Sequence, residues 1–396
     1  MDEKRCGIQG GGDAELLGGK LIGEGSFGCV FYPALKCSNQ KTIQGDKVSK
    51  VFFNKNSKRE ANEEIKINQM VKKIKGYQSW SHIWDKNCKP NKYEKVVKED
   101  GTIDDCLYNN DIDEDEFNKN SRMLQGSYGG DTLSAVFTKL FTKSSFKTPN
   151  TFSTTFLNMV KQMKPLFVGL ESMNRNNLSH NDIKSDNIMV DSEGCKYIDF
   201  GLAAKHSDTS FFKRRTMSEF IGDRIYPCYP YEFLYLYATP VVLEDEKSDI
   251  EYDIFRDLHD RYILVHETLF KRGNSKKYLL QLIQNKLDKK LSKEKQSMII
   301  KLVDTYSLGI LLPYMLCKVS KKHGKITQCK KYSQSKSVKP FMDLFKSMCE
   351  PDCENRMKPG DALQRYLELE TLYLSNTKKQ SKKTPKRTFR RTLRKA

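Results

Sequence analysis

Leu178-Ser179-His180-Asn181-Asp182-Ile183-Lys184-Ser185-Asp186-Asn187-Ile188-Met189-Val190, followed by Tyr197-Ile198-Asp199-Phe200-Gly201, is the stretch on which the fold turns. It sets three oxygen-bearing side chains in fixed order, Asp182, Asn187 and Asp199. Asp182 can accept the proton of an attacking hydroxyl. Asn187 and Asp199 offer the oxygen ligands that magnesium, a hard cation, prefers. Lys184 can neutralise charge on a phosphoryl group as it moves. Such a set asks for little covalent work, because positioning and charge stabilisation supply the rate.

Upstream, Gly23-Glu24-Gly25-Ser26-Phe27-Gly28-Cys29-Val30 fits G-x-G-x-x-G-x-V, preceded by Ile22. Three glycines let a strand-turn-strand close over a polyphosphate with backbone N–H groups facing it. A dinucleotide fold carries glycines at similar spacing, but a helix follows them there. Here Gly28-Cys29-Val30-Phe31-Tyr32 continues as a strand. Val48-x-Lys50 then offers a strand lysine for phosphate oxygens, with Lys47 and Lys55 as competitors. A carboxylate on the next helix should orient that lysine. Glu64 is the first choice, ahead of Glu63 and Glu60.

Together these residues resemble the eukaryotic-type protein kinase superfamily, whose catalytic loop has the D-x-x-x-x-N spacing of Asp182 and Asn187 with Asp-Phe-Gly beyond it. The resemblance covers about residues 18–374. It implies an α+β, bilobal kinase-like fold with a small β-rich N-lobe, one main helix in it, and a larger, mostly helical C-lobe. It implies ATP and Mg2+ as cofactors, Asp182 as base with Lys184 and Asn187 beside it, and Asn187 and Asp199 as metal ligands. Residues 22–28, Val30, Lys50 and Glu64 would bind the nucleotide. Lys184, two residues after Asp182, resembles the serine/threonine members, so protein substrates are implied. Tyr128-Gly129-Gly130-Asp131 resembles the segment after the hinge, and Asp304 the aspartate that ties down the catalytic loop. Glu232 and Arg356 resemble the pair at the end of the activation segment.

The chain departs from the family at three places. Asn181 replaces the arginine that normally receives a phosphorylated activation loop, so activity is expected not to need phosphorylation of Thr209, Ser210, Thr216 or Ser218. Tyr231 stands where proline is usual. Residues 240–301 form a charged insertion, with helical stretches such as Tyr278 to Asp288. Two other functions share the motifs: a pseudokinase scaffold that binds nucleotide without efficient transfer, and a kinase of small molecules or lipids.

The expected organisation is a flexible arm at 1–17, an N-lobe at 18–128 with an insertion near 76–120, a C-lobe at 129–376, and a disordered basic tail at 377–396. Strands are expected at Gly18 to Cys37 and Lys47 to Phe53. Helices are expected at Ser57 to Ile74, Phe152 to Asn176 and Thr305 to Lys318. Residues 76–120 read as strands interrupted by a loop. Hydrophobic residues make up 38% and charged residues 30% of the 396, which suits a water-exposed globular chain. The best apolar run, Leu308 to Leu316, holds Pro313 and is too short to span a bilayer, so no transmembrane segment is expected. The N-terminus lacks the apolar core of a secretory signal. A cytoplasmic or nuclear location follows, and all eleven cysteines read as thiols. Much of the net charge of +19 lies in the tail, which could contact nucleic acid or acidic surfaces. The lysine richness and divergent middle resemble, in style, kinases encoded by large DNA viruses, for which a virion is a further location.

Overall fold

A computed structural model describes residues 19–25, 28–43, 45–99, 102–221, 228–237, 264–271, 277, 281 and 291–374. The N-terminal arm, Ser26 and Phe27 of the glycine turn, most of the 240–301 insertion including nearly all of Tyr278 to Asp288, and the basic tail lie outside them. The chain is an α+β, bilobal kinase fold. It divides into two compact units, one of residues 1–69 and 83–128, the other of residues 70–82 and 129–396.

The first unit is built on a five-stranded antiparallel sheet in the order β1-β2-β3-β5-β4. Its strands are β1 (Lys20–Gly25), β2 (Gly28–Tyr32), β3 (Lys47–Phe52), β4 (Trp84–Cys88) and β5 (Arg122–Ser127). Gly25 pairs with Gly28, so β1 and β2 form the hairpin that the glycines announced. Gly28 is required there: its φ is 147°, and a Cβ would fall 2.0 Å from the Val51 carbonyl oxygen. The main helix, α1, runs over Ser57–Lys72.

Residues 76–120 correct the sequence-based expectation. Besides β4 they hold three short helices, α2 (Tyr93–Glu99), α3 (Ile103–Asn109) and α4 (Glu114–Asn120). The acidic cluster starts α4, where Asp113 caps by accepting from Glu116 N, and negative charge suits the helix N-terminus. Val96, Ile103, Cys106, Leu107 and Phe117 from these helices join Cys29, Phe31, Val51 and Met123 of the sheet in one apolar cluster.

The cysteine expectation also fails. Cys29 is bonded to Cys106 and Cys37 to Cys88, with Cα–Cα separations of 6.3 and 5.9 Å that suit such links. Partners 77 and 51 residues apart meet only once α3 and β4 have packed against the sheet. Among the described residues six cysteines remain thiols, all buried.

The second unit is mostly helical. It opens with a short pairing of β6 (Asp131–Thr132), followed by α5 (Leu133–Leu140), α6 (Pro149–Gln162) and α7 (Lys164–Arg175). The single helix expected from Phe152 to Asn176 is thus two, parted at Met163, with Pro165 in the first turn of α7, where its missing N–H costs nothing. β7 (Leu178–Ser179), β8 (Ile188–Asp191), β9 (Gly194–Tyr197) and β10 (Ala204–Lys205) complete two small sheets, β6-β8-β9 and β10-β7. Then come α8 (Thr209–Ile221), α9 (Glu232–Tyr235) and the central helix α10 (Lys293–Lys322). The unit closes with α11 (Ile326–Tyr332), α12 (Lys339–Met348) and α13 (Pro359–Leu369).

α10 is far longer than the Thr305–Lys318 helix expected, and it takes residues 293–301 out of the insertion. Ser292 caps its start and it continues through Pro313. Its length and apolar composition would suffice to cross a membrane, although the run Leu308 to Leu316 alone would not. Yet 89% of its most apolar window is buried within the unit, as befits a core helix. Gly309 lets α12 come close: a Cβ there would lie 2.6 Å from that of Met348.

Candidate active site

In the first unit, Lys50 sits on β3 in register with Val30 on one side and Leu124 on the other. Its side chain is buried, and Nζ lies 3.0 Å from Glu64 Oε2 on α1. The competitors are occupied elsewhere or exposed. Lys47 pairs with Asp85 at 2.7 Å, Lys55 and Glu63 are exposed, and Glu60 accepts from Asn54.

Sequence reasoning missed two residues around Glu64. Trp84 donates its indole N–H to Glu64 Oε1 at 2.6 Å, so the carboxylate holds Lys50 with one oxygen and Trp84 with the other. Asn68 donates to the Glu64 carbonyl at 2.6 Å and accepts from Trp84 N at 2.9 Å, tying β4 to α1. No short motif marks either residue; only the indole's need for an acceptor hints at Trp84.

The glycine hairpin is also held from the side. Glu24 accepts from the amides of Asn109 and Asn110, Leu21 N donates to Thr102 Oγ1 at 2.9 Å, and Cys29 is linked to Cys106. Ile22 is exposed, and Gly23 and Val30 face each other across β1 and β2.

In the second unit the loop at 178–187 is fixed from several directions. Asp304 on α10 accepts from His180 N at 2.6 Å and Asn181 N at 2.9 Å. Burial pushes the Asp304 carboxyl up from the usual range, against the opposing pull of His180 and these two N–H groups. His180 Nε2 lies 2.9 Å from the Ile198 carbonyl, so that nitrogen carries the proton, and Nδ1 accepts from Asp182 N. Asn181 has φ 63°, a left-handed conformation that Asn tolerates better than most residues. Its amide donates to the carbonyls of Ser179 and Leu202, so it bridges the loop to the turn after Phe200.

Asp182, Lys184 and Asn187 come together. Asn187 Nδ2 donates to Asp182 Oδ2 at 2.7 Å, and Lys184 Nζ lies 3.1 Å from the same oxygen. Asn187 directly precedes β8 and Asp199 shortly follows β9. The antiparallel pairing of Ile188 with Tyr197 and the bond from Ile198 N to Asn187 O hold the two side chains' backbones side by side. Asp199 is left-handed at φ 55°, and its Oδ1 accepts from Gly201 N at 3.3 Å.

The segment beyond is anchored by Glu232 and Arg356, whose Oε1 and Nη2 lie 2.5 Å apart with both side chains sealed from solvent. Burial pushes the Glu232 carboxyl up, opposed by the Arg356 charge. One residue in this segment was not anticipated: Tyr229 donates its hydroxyl to Asp182 Oδ1 at 2.5 Å.

Two family models match the chain. The protein kinase domain model matches residues 137–367, and the protein tyrosine and serine/threonine kinase model matches residues 17–221. Among curated proteins the chain is similar to mitogen-activated protein kinase kinase kinase 2 of Arabidopsis thaliana, 27% identical over 188 residues. That match covers 47% of this chain and 23% of the relative's length.

Proposed function

The chain belongs to the protein kinase family, and we propose that it is an active enzyme that transfers the γ-phosphate of ATP to serine and threonine hydroxyls of proteins. The observation that carries this reading is the Asp182 carboxylate, positioned by Asn187 and Lys184 in a loop clamped by Asp304. A base fixed in this way can take the proton of an acceptor hydroxyl as its oxygen attacks phosphorus. Lys184 supplies positive charge next to that base. Lys50, kept in place by Glu64, supplies an ammonium for phosphate oxygens.

Magnesium fits the donors present. Asn187 uses its amide nitrogen on Asp182, which turns the amide oxygen into the acceptor end, and Asp199 adds a carboxylate. One carboxylate, one amide oxygen and the nucleotide's own phosphates suit an ion that keeps several waters. Bound there, magnesium would neutralise phosphate charge during transfer.

Protein acceptors are supported by the family and by the relative's name, which is that of a kinase acting on a kinase. Lys184 two residues after Asp182 supports serine and threonine over tyrosine. Asn181 offers no guanidinium for a phosphorylated loop, so we extend the proposal to activity without phosphorylation of that loop. Thr216 in the loop's helix is buried and donates to the Phe212 carbonyl. The test is a peptide array with phosphoamino-acid analysis, run with wild type and Asp182→Asn. Label on serine and threonine with wild type alone is expected. Label confined to tyrosine, or none on any peptide, overturns the reading.

A further inference from the structure

The carboxylate of Asp182 has two oxygens, and both are occupied. Oδ2 is shared by Asn187 and Lys184. Oδ1, the oxygen left for an acceptor, takes the phenol of Tyr229 at 2.5 Å. Tyr229 is no loose surface residue. It is 6% exposed, and its neighbours Cys228, Pro230, Tyr231 and Phe233 are buried as well. The Arg215 guanidinium on α8 lies 4.5 Å from the Tyr229 ring centroid and 5.3 Å from that of Phe233, with Nη2 3.5 Å from the Asn181 carbonyl. Three residues on, Glu232 is locked to Arg356, so the segment has a fixed end close to the site.

A hydroxyl that donates to the base at hydrogen-bond distance has the geometry required of the group about to be deprotonated. Tyr229 therefore stands where a substrate's hydroxyl must stand. Burial and the Asp182 charge raise its pKa, so the phenol stays protonated and remains a donor.

We propose that Tyr229 is a built-in stand-in for the acceptor: while its hydroxyl is bonded to Asp182 Oδ1, a protein substrate cannot present its own hydroxyl to that oxygen. The segment around Tyr229 has to withdraw before transfer, and a substrate binds in competition with it. The inference rests on the reading of Asp182 as the base. The opposite role for the same contact is positioning, in which Tyr229 would steady the carboxylate and aid transfer. The two roles differ in sign.

The experiment measures phosphoryl transfer from ATP to myelin basic protein by the full chain, with wild type, Tyr229→Phe, Tyr229→Ala and Asp182→Asn. Thermal melts show which variants are folded. Tyr229→Phe keeps the ring under Arg215 and removes only the competing hydroxyl. It should raise kcat/KM for the protein acceptor by about tenfold or more, the worth of a hydrogen bond to a charged group. Most of the gain should be in KM for the protein, with KM for ATP unchanged. Tyr229→Ala should match or exceed it. If Asp182→Asn falls below wild type while neither Tyr229 variant rises above it, the stand-in role is overturned and the kinase reading stands. If wild type and both Tyr229 variants transfer no more than Asp182→Asn, both readings fall.

Discussion

In the second unit the buried pair Glu232–Arg356 has both side chains at 0% exposure, whereas in the first the pair Lys50–Glu64 keeps 9% and 4%. The surroundings differ too. Arg356 also donates to the carbonyls of Glu350, Pro351 and Leu302 and lies 4.8 Å from the Tyr306 ring centroid, so the pair ties α9 to α10 and the chain before α13. Lys50 and Glu64 sit in the smaller unit, which adds two disulfides and the Trp84 and Asn68 bonds to its core. The sealed pair is a structural lock. The other is an ion pair that holds the Lys50 ammonium in one orientation.

That contrast can be broken most forcefully at Glu232. Glu232→Gln leaves Arg356 buried and unpaired, which should cost about 3–5 kcal/mol in urea unfolding. A loss below about 1.4 kcal/mol, a tenfold change in the unfolding equilibrium, would mean that the pair is no lock. Next in size is the disulfide between β2 and α3. Replacing Cys29 and Cys106 together with serine should lower stability by about 2–4 kcal/mol, as removal of a cross-link closing a long loop does. Unfolding that is insensitive to both substitution and reductant would remove the staples from the account of the first unit.

A smaller effect is expected at Trp84. Trp84→Phe removes one bond to the Glu64 carboxylate and should lower kcat/KM for ATP by about tenfold. The change should fall mainly on KM for ATP and leave KM for the protein acceptor alone. Smallest is a pH effect in the second unit. Burial holds His206 down at about 4, from 6.5. Between those values the unfolded chain binds a proton that the folded one refuses, so stability should fall as pH drops through this window. His206→Asn should flatten that slope in thermal melts between pH 7 and 4.

The parts visible in the sequence share one property: their spacing is set by backbone geometry that repeats wherever the chemistry does. The interval from Asp182 to Asn187, the glycine hairpin and Lys50 on β3 belong to this class. What stayed hidden depended on packing. α2, α3 and α4 each have seven residues, too few to display a helical period, and their helicity comes from burying Val96, Ile103, Leu107 and Phe117 against the sheet. The disulfides needed α3 and β4 in place before Cys106 and Cys88 could be paired. α10 was cut short because its first turns, with Lys293, Glu294 and Lys295, read as part of the charged insertion at 240–301. Tyr229 reaches Asp182 from 47 positions away, a contact no local pattern encodes.

The central claim is that Asp182 is the base of a working phosphoryl transfer. Single-turnover transfer of labelled phosphate from ATP to myelin basic protein by wild type and Asp182→Asn, with ATP affinity measured in parallel, tests it most directly. A rate loss on the order of 10²–10⁴ at unchanged ATP affinity is predicted. Equal rates in the two proteins would contradict it.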